Sequence, residues 1–276
     1  MTDLPPAGPD ARLLQLVEVW HSACTDFVAL VRTIPREQWE SPTDLDGWSV
    51  KDNVAHVAHL EAVLAGAPEE TIEVAAAPHL RGLQNYYTEA GVLARRDRDM
   101  EALADEIEQA VAARYAELRA AALTDGSAPP PRTPGGIPWD TQTLLSNRPF
   151  DVWMHDQDVR RAVARAGGYD SPAAQHVLGV LGLSLPMVVG KRLSPPVGTT
   201  VRLAVPEAGL SWTVRVGDDG RARLTEDGTA TATVTLSPED FVVLAGGRRP
   251  ADRTQPLLEG DEDLGRRLVN SLAVTP

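Results

Sequence analysis

Asp151 and His155 stand one helical turn apart in FDVWMHDQDVRRA, and His56 lies far upstream in GWSVKDNVAHVAHLE. An acid and an imidazole at i, i+4 share one helix face, and a third donor from another helix would complete a facial set of ligands with open positions left for chemistry. That pattern suits a catalytic metal ion. On a wheel of about 100° per residue, Arg148, Asp151, His155 and Asp158 fall on one stripe with Leu144 and Ala162. Val152, Val159 and Leu145 flank it on one side and Met154 on the other. Asp156, Gln157, Arg160 and Arg161 lie opposite and read as the solvated face, so the stripe should point inward. Buried carboxylates and imidazoles need partners there. Two arrangements satisfy them: a metal ion, or a carboxylate–histidine pair closed by Arg148. His59, one turn from His56, is a second-ranked donor.

The elements that must position these residues follow from periodicity. Leu13, Leu14, Val17, Trp20, Cys24, Phe27, Val28 and Val31 mark an amphipathic helix over 11–33. Ser49 with Asp52 three residues on forms a capping-box start for a helix running to about Gly66. Leu103, Ile107, Val111, Tyr115 and Leu118 predict a third long helix within 80–123. SAPPPRTPGGIPWD, 127–140, is too rich in Pro and Gly to be helical, and the helix carrying Asp151 and His155 should span about 141–166. Ser171-Pro172 opens another helix, to about Val189.

Beyond KRLSPPVG the period changes to two. TTVRLAV, LSWTVRV, RARLTE and TATVTL predict four strands of an antiparallel sheet, followed by helices in SPEDFVVLAGG and DEDLGRRLVNSLA. The fold class expected is therefore α+β. A helical domain should occupy 1–190 and a small α+β domain 191–276, with the boundary in the Pro/Gly-containing stretch 190–199 and the helix 171–189 assignable to either side.

The composition narrows the function classes. A net charge of -13 opposes binding to nucleic acid or an anionic membrane and favours small-molecule partners. No stretch reads as the roughly 20 apolar residues of a membrane span, and MTDLPPAGPDARLL lacks the pattern of a signal peptide, which predicts a cytoplasmic location. Cys24 is the single cysteine and falls on an apolar stripe, so it reads as core. GxSxG, GxxxxGK[ST], GxGxxG and HExxH are all missing. A thiolate nucleophile would have to come from a cofactor.

At these residues the sequence resembles the mycothiol-dependent maleylpyruvate isomerase family, a branch of the DinB-like metal-binding four-helix bundles. Three features carry the likeness: Trp48 eight positions before His56 in GWSVKDNVAHVAHLE, the acid-x-x-x-His of Asp151 and His155, and a C-terminal FVVLAGGRR followed by LEGDEDLGRRLVNSLAVTP, which is similar to a small sterol-carrier-like domain. The resemblance implies a divalent metal, usually zinc, held by His56, Asp151 and His155, with mycothiol as the thiol cofactor. It implies isomerase or S-transferase chemistry on a small electrophilic substrate. Metal-activated water, giving a hydrolase or lyase, and a non-catalytic ligand-binding protein are the alternatives. Asp158 would orient a ligand imidazole through its free N–H, or pair with Arg148 or Arg161. Arg248 resembles a family arginine suited to bind an anion, with a solvated turn as the other reading. The family's best-known members carry Glu where this chain has Asp151. The shorter arm would draw the helix closer to the metal or leave the coordination looser.

Overall fold

In a computed structural model, described for residues 10–121, 123–226 and 228–275, the chain forms two compact units, Met1–Gly167 and Gly168–Pro276. The start of the chain, on which the signal-peptide reading falls, lies outside the described residues. The first unit contains α1 (Ala11–Val31), α2 (Val50–Leu64), α3 (Leu83–Leu93), α4 (Met100–Ala120) and α5 (Thr141–Ala162). Its four long helices make a closed ring of neighbours: α1 packs on α4 and α5, and α2 packs on the same two. The core between them is built from Leu13, Val17, Trp20, Phe27, Val54, Val57, Leu103, Ile107, Val152 and Val159, all buried.

The single long helix expected over 80–123 is two. Arg95 to Arg98 turn the chain between α3 and α4, and the Asp99 carboxylate accepts from the Ala102 amide to start the second helix. A capping aspartate and a run of charges here outweigh the surrounding helix propensity. α5 ends at Ala162, ahead of the expected 166, where Ala164 adopts a positive φ of 54°.

The second unit begins earlier than the 190–199 boundary. α6 (Pro172–Gly182) packs against the strand Leu210–Val216 and the helix Pro238–Ala245, so it belongs with the sheet. Gly182 permits this approach, since a Cβ there would lie 2.0 Å from the Trp212 ring. A short turn α7 (Leu185–Met187) and a π-helical turn, Val188–Leu193, follow α6. By length and composition alone the run Pro172–Leu193 could cross a membrane, which corrects the expectation that no such stretch exists; half of its most apolar window is buried.

The sheet has five strands, β1 (Thr200–Val205), β2 (Leu210–Val216), β3 (Ala222–Thr225), β4 (Ala232–Thr235) and β5 (Leu257–Gly260), in the order β3-β2-β1-β4-β5. It is mixed: β1 and β4 are parallel, with Val201 opposite Ala232, and the other pairs are antiparallel. Alternation along a strand marks its faces but carries no direction, so the parallel pair was invisible in the sequence. β5 was missed because its four residues, LLEG, show no alternation. α8 (Pro238–Ala245) and α9 (Glu262–Asn270) complete the unit, α9 lying on β4 and β5. The α+β class holds: among the described residues the strands lie in the second unit, apart from an isolated bridge between Pro42 and Ser49.

Candidate metal centre

The site is assembled by α2, α5 and the turn that leads into α2. At the start of α2, Ser49 and Asp52 form the expected capping box: the Ser49 hydroxyl accepts from the Asp52 amide at 3.2 Å and the Asp52 carboxylate accepts from the Ser49 amide at 3.0 Å. Asn53 follows in the first turn, its Nδ2 donating to Ser49 O at 2.9 Å. His56 is one turn further along α2 and is buried.

α5 presents Asp151 and His155 towards His56. The Asp151 carboxylate reaches both imidazoles with different oxygens: Oδ2 lies 3.4 Å from His56 Nε2, and Oδ1 lies 3.7 Å from His155 Nε2. One ligand atom from each of the three residues lies within 4.8 Å of the other two. Tetrahedral ligands bonded to zinc at about 2.1 Å are separated from one another by about 3.4 Å. The arm of an aspartate is therefore long enough, because α2 and α5 are direct neighbours in the bundle. The donor set also fits a cation on a second count. Among the described residues no hydrogen-bond partner reaches either nitrogen of His56 or Oδ2 of Asp151, all of them buried. Of these, His56 Nε2 and Asp151 Oδ2 face one another at 3.4 Å, and orphaned buried polar atoms are costly unless something occupies the space beside them.

The protonation states suit the same purpose. Burial pushes the pKa of His56 below its ordinary value, so the imidazole is neutral with a lone pair available. Burial alone would raise that of Asp151, but the Arg148 guanidinium beside it outweighs that and holds the carboxyl well below the usual range. Arg148 Nη2 is 3.1 Å from Asp151 Oδ2, a charge contact whose alignment is too poor to count as a hydrogen bond.

His155 is oriented by a residue that the sequence reading overlooked. Its Nδ1 lies 2.8 Å from Asn53 Oδ1, whereas the expected partner, Asp158 Oδ2, is at 3.5 Å. An amide oxygen can only accept, so Nδ1 carries the proton and Nε2 faces Asp151 with its lone pair. Asp158 is fully buried and bonds Arg161, which also donates to Asp44 at 2.7 Å. The alternative pairing with Arg161 is thus present. Asn53 is three residues before His56 in a helix, and that spacing was the available signal.

Trp48 packs over the pair, its ring centroid 5.0 Å from that of His56 and 5.9 Å from that of His155. Its indole Nε1 donates to the buried Glu89 carboxylate at 2.8 Å, which fixes the ring. His59 does not join the cluster. Its Nδ1 faces Arg95 Nη1 at 3.4 Å, its ring rests on Gly91, and it is fully buried. Asp156 and Gln157, read as solvated, are buried as well: Asp156 accepts from Arg160 at 2.6 Å and Gln157 donates to Gly167 O at 3.1 Å. A wheel takes one face as covered, and a helix packed on several neighbours exceeds that assumption. Cys24 is buried core, and burial first, then the negative charge of Glu61, pushes its thiol well above the usual range, so it is no nucleophile. Arg248 belongs to the second unit, where its Nη1 donates to Gly246 O at 2.7 Å and Thr275 Oγ1 at 3.4 Å.

The family model of the mycothiol maleylpyruvate isomerase N-terminal domain matches residues 20–160, which hold every residue of the cluster. The chain belongs to this family. Two crystal structures share its fold: the mycothiol-dependent maleylpyruvate isomerase, at 18% identity, and a histidine-to-alanine mutant of it, at 17%. Each has a TM-score of 0.54, with 90% of this chain and 91% of that chain covered. The likeness spans both units, as the sequence motifs had implied. No curated protein matches the sequence.

Proposed function

We propose that this protein is a metal-dependent, mycothiol-using enzyme, an isomerase or S-transferase acting on a small electrophilic substrate, as the names of its structural relatives suggest. The observation that carries this reading is the convergence of His56, Asp151 and His155, with the nitrogens of His56 and Oδ2 of Asp151 unpartnered among the described residues. A zinc ion at this point would supply Lewis acidity, lowering the pKa of a thiol or water beside it into the neutral range. The protein's own contribution is to have the ligands ready. Asn53 holds the His155 proton on Nδ1, Arg148 keeps Asp151 ionised, and burial keeps His56 neutral. Trp48 shields the two rings from water on its side. Arg248 remains, by resemblance alone, the cofactor-binding cation, suited to an anionic group of the thiol cofactor or of the substrate.

Metal content and thiol binding test the proposal together. Purified wild type should carry about one zinc per chain, and His155→Ala and Asp151→Ala should lose it while keeping their circular dichroism. Mycothiol should then raise the melting temperature of the zinc-loaded wild type saturably and leave both variants unmoved. Zinc retained by the variants would overturn the site. Zinc-loaded protein indifferent to mycothiol would overturn the thiol chemistry and favour activated water.

A further inference from the structure

Behind the cluster lies a second, fully buried one. Glu61 on α2 has no solvent exposure, and Arg148 on α5 and Arg114 on α4 are almost as deeply enclosed. Arg148 donates to Glu61 Oε1 through both Nε, at 3.0 Å, and Nη2, at 2.8 Å, while Arg114 Nη1 donates to Oε2 at 3.2 Å. The Arg114 guanidinium also stacks over Trp20, 4.6 Å from the ring centroid. Arg148 is thus braced from behind, and its Nη2 still extends to within 3.1 Å of Asp151 Oδ2. That oxygen is the one facing His56 Nε2.

We propose that Arg148, braced by Glu61, competes with a bound cation for Asp151 and thereby sets the metal affinity of the centre and its preference for an anionic further ligand. The inference rests on the reading that His56, Asp151 and His155 hold a divalent ion. The charge count carries it. With neutral histidines, Asp151 and Glu61 contribute two negative charges, and Arg148 and Arg114 two positive ones, so the buried group is neutral before any ion enters. Arginine cannot relieve the conflict by losing its proton. A dication entering beside Arg148 leaves a net charge of plus two in a poorly screened interior, where a unit charge a few Å away changes affinity by well over tenfold. Such a centre holds its metal less tightly than the same three ligands without the guanidinium. It also gains more from an anion, a thiolate or a substrate carboxylate, than from a neutral ligand.

Zinc affinity, measured on the full chain by competition with a chromogenic chelator, separates this charge effect from a merely structural one. Arg148→Gln should bind zinc at least about tenfold more tightly than wild type, and Glu61→Gln about tenfold more weakly, because it strands the two guanidinium charges. The double variant Arg148→Gln/Glu61→Gln keeps the buried charge at its wild-type value and should return to within about threefold of it. If Arg148 only positions Asp151, Arg148→Gln weakens zinc, and that result overturns the proposal. Should Arg148→Gln not fold, the other two decide: recovery in the double variant supports the proposal, and a double variant as weak as Glu61→Gln overturns it. His155→Ala is the control for the underlying reading. Wild-type affinity unchanged by that substitution means that the ion binds elsewhere, whereas its loss together with a wrong sign at Arg148 refutes the charge competition alone.

Discussion

His59 makes the acid sensitivity of the fold calculable. Its imidazole is fully enclosed by α3 and faces the Arg95 guanidinium, and burial first, then the charge of Arg95, pushes its pKa from 6.5 down to about 3. The folded protein thus binds fewer protons at this position than the unfolded chain at every pH between those values. Stability consequently rises with pH across that window, is fully present above 6.5, and is lost progressively as the pH falls towards 3. Each pH unit within it corresponds to about 1.4 kcal/mol, so lowering the pH from 6.5 to 5 should remove about 2 kcal/mol through His59 alone. Urea unfolding of chelator-treated protein at pH 7.5, 6.5, 5.75 and 5 measures this directly. Chelator removes the metal contribution, and His59→Leu removes the titrating group. The variant's stability should fall less steeply below pH 6.5 than that of wild type, by about one proton's worth of slope. Equal slopes for the two proteins would refute the argument, since His59 would then be protonated without cost.

Asn53→Ala should weaken zinc binding by about 10–100-fold, as loss of a hydrogen bond behind a ligand imidazole commonly does, and should also lower the melting temperature of the metal-free protein, because it leaves the buried His155 N–H without its partner. An unchanged zinc affinity would show that Asp158 suffices to orient His155. Gly91→Ala places a Cβ 2.1 Å from the His59 ring, a clash with a group that has no room to move, and should cost about 1–3 kcal/mol in chemical denaturation. A melting temperature equal to that of wild type would contradict the packing described for α3.

Much of the site is legible in the sequence. The i, i+4 spacing of Asp151 and His155 places them on one face by helix geometry alone, and Ser49 and Asp52 announce the start of α2, which fixes where His56 stands along it. Those are local relations, set within one or two turns of chain. Asn53 was overlooked because its partner is His155, on another helix, and a carboxylate at i+3 offered a nearer explanation. The second domain's strands were visible as alternation, but their directions, and a four-residue edge strand, were not.

The sequence by itself determined where α1, α2 and α5 form, that Asp151 and His155 share a helix face, and to which family the motifs point. Only the tertiary structure decided which groups meet. It brings the two oxygens of Asp151 to two different imidazoles, gives His155 to Asn53, turns His59 away towards Arg95, and sets Arg148 between Glu61 and Asp151. The reason is that helical periodicity carries the direction of a side chain around its own axis and nothing about the axis beside it. The distance and rotation between α2 and α5 follow from the packing of Val54, Val57, Val152 and their neighbours, and no run of residues along either helix contains that information.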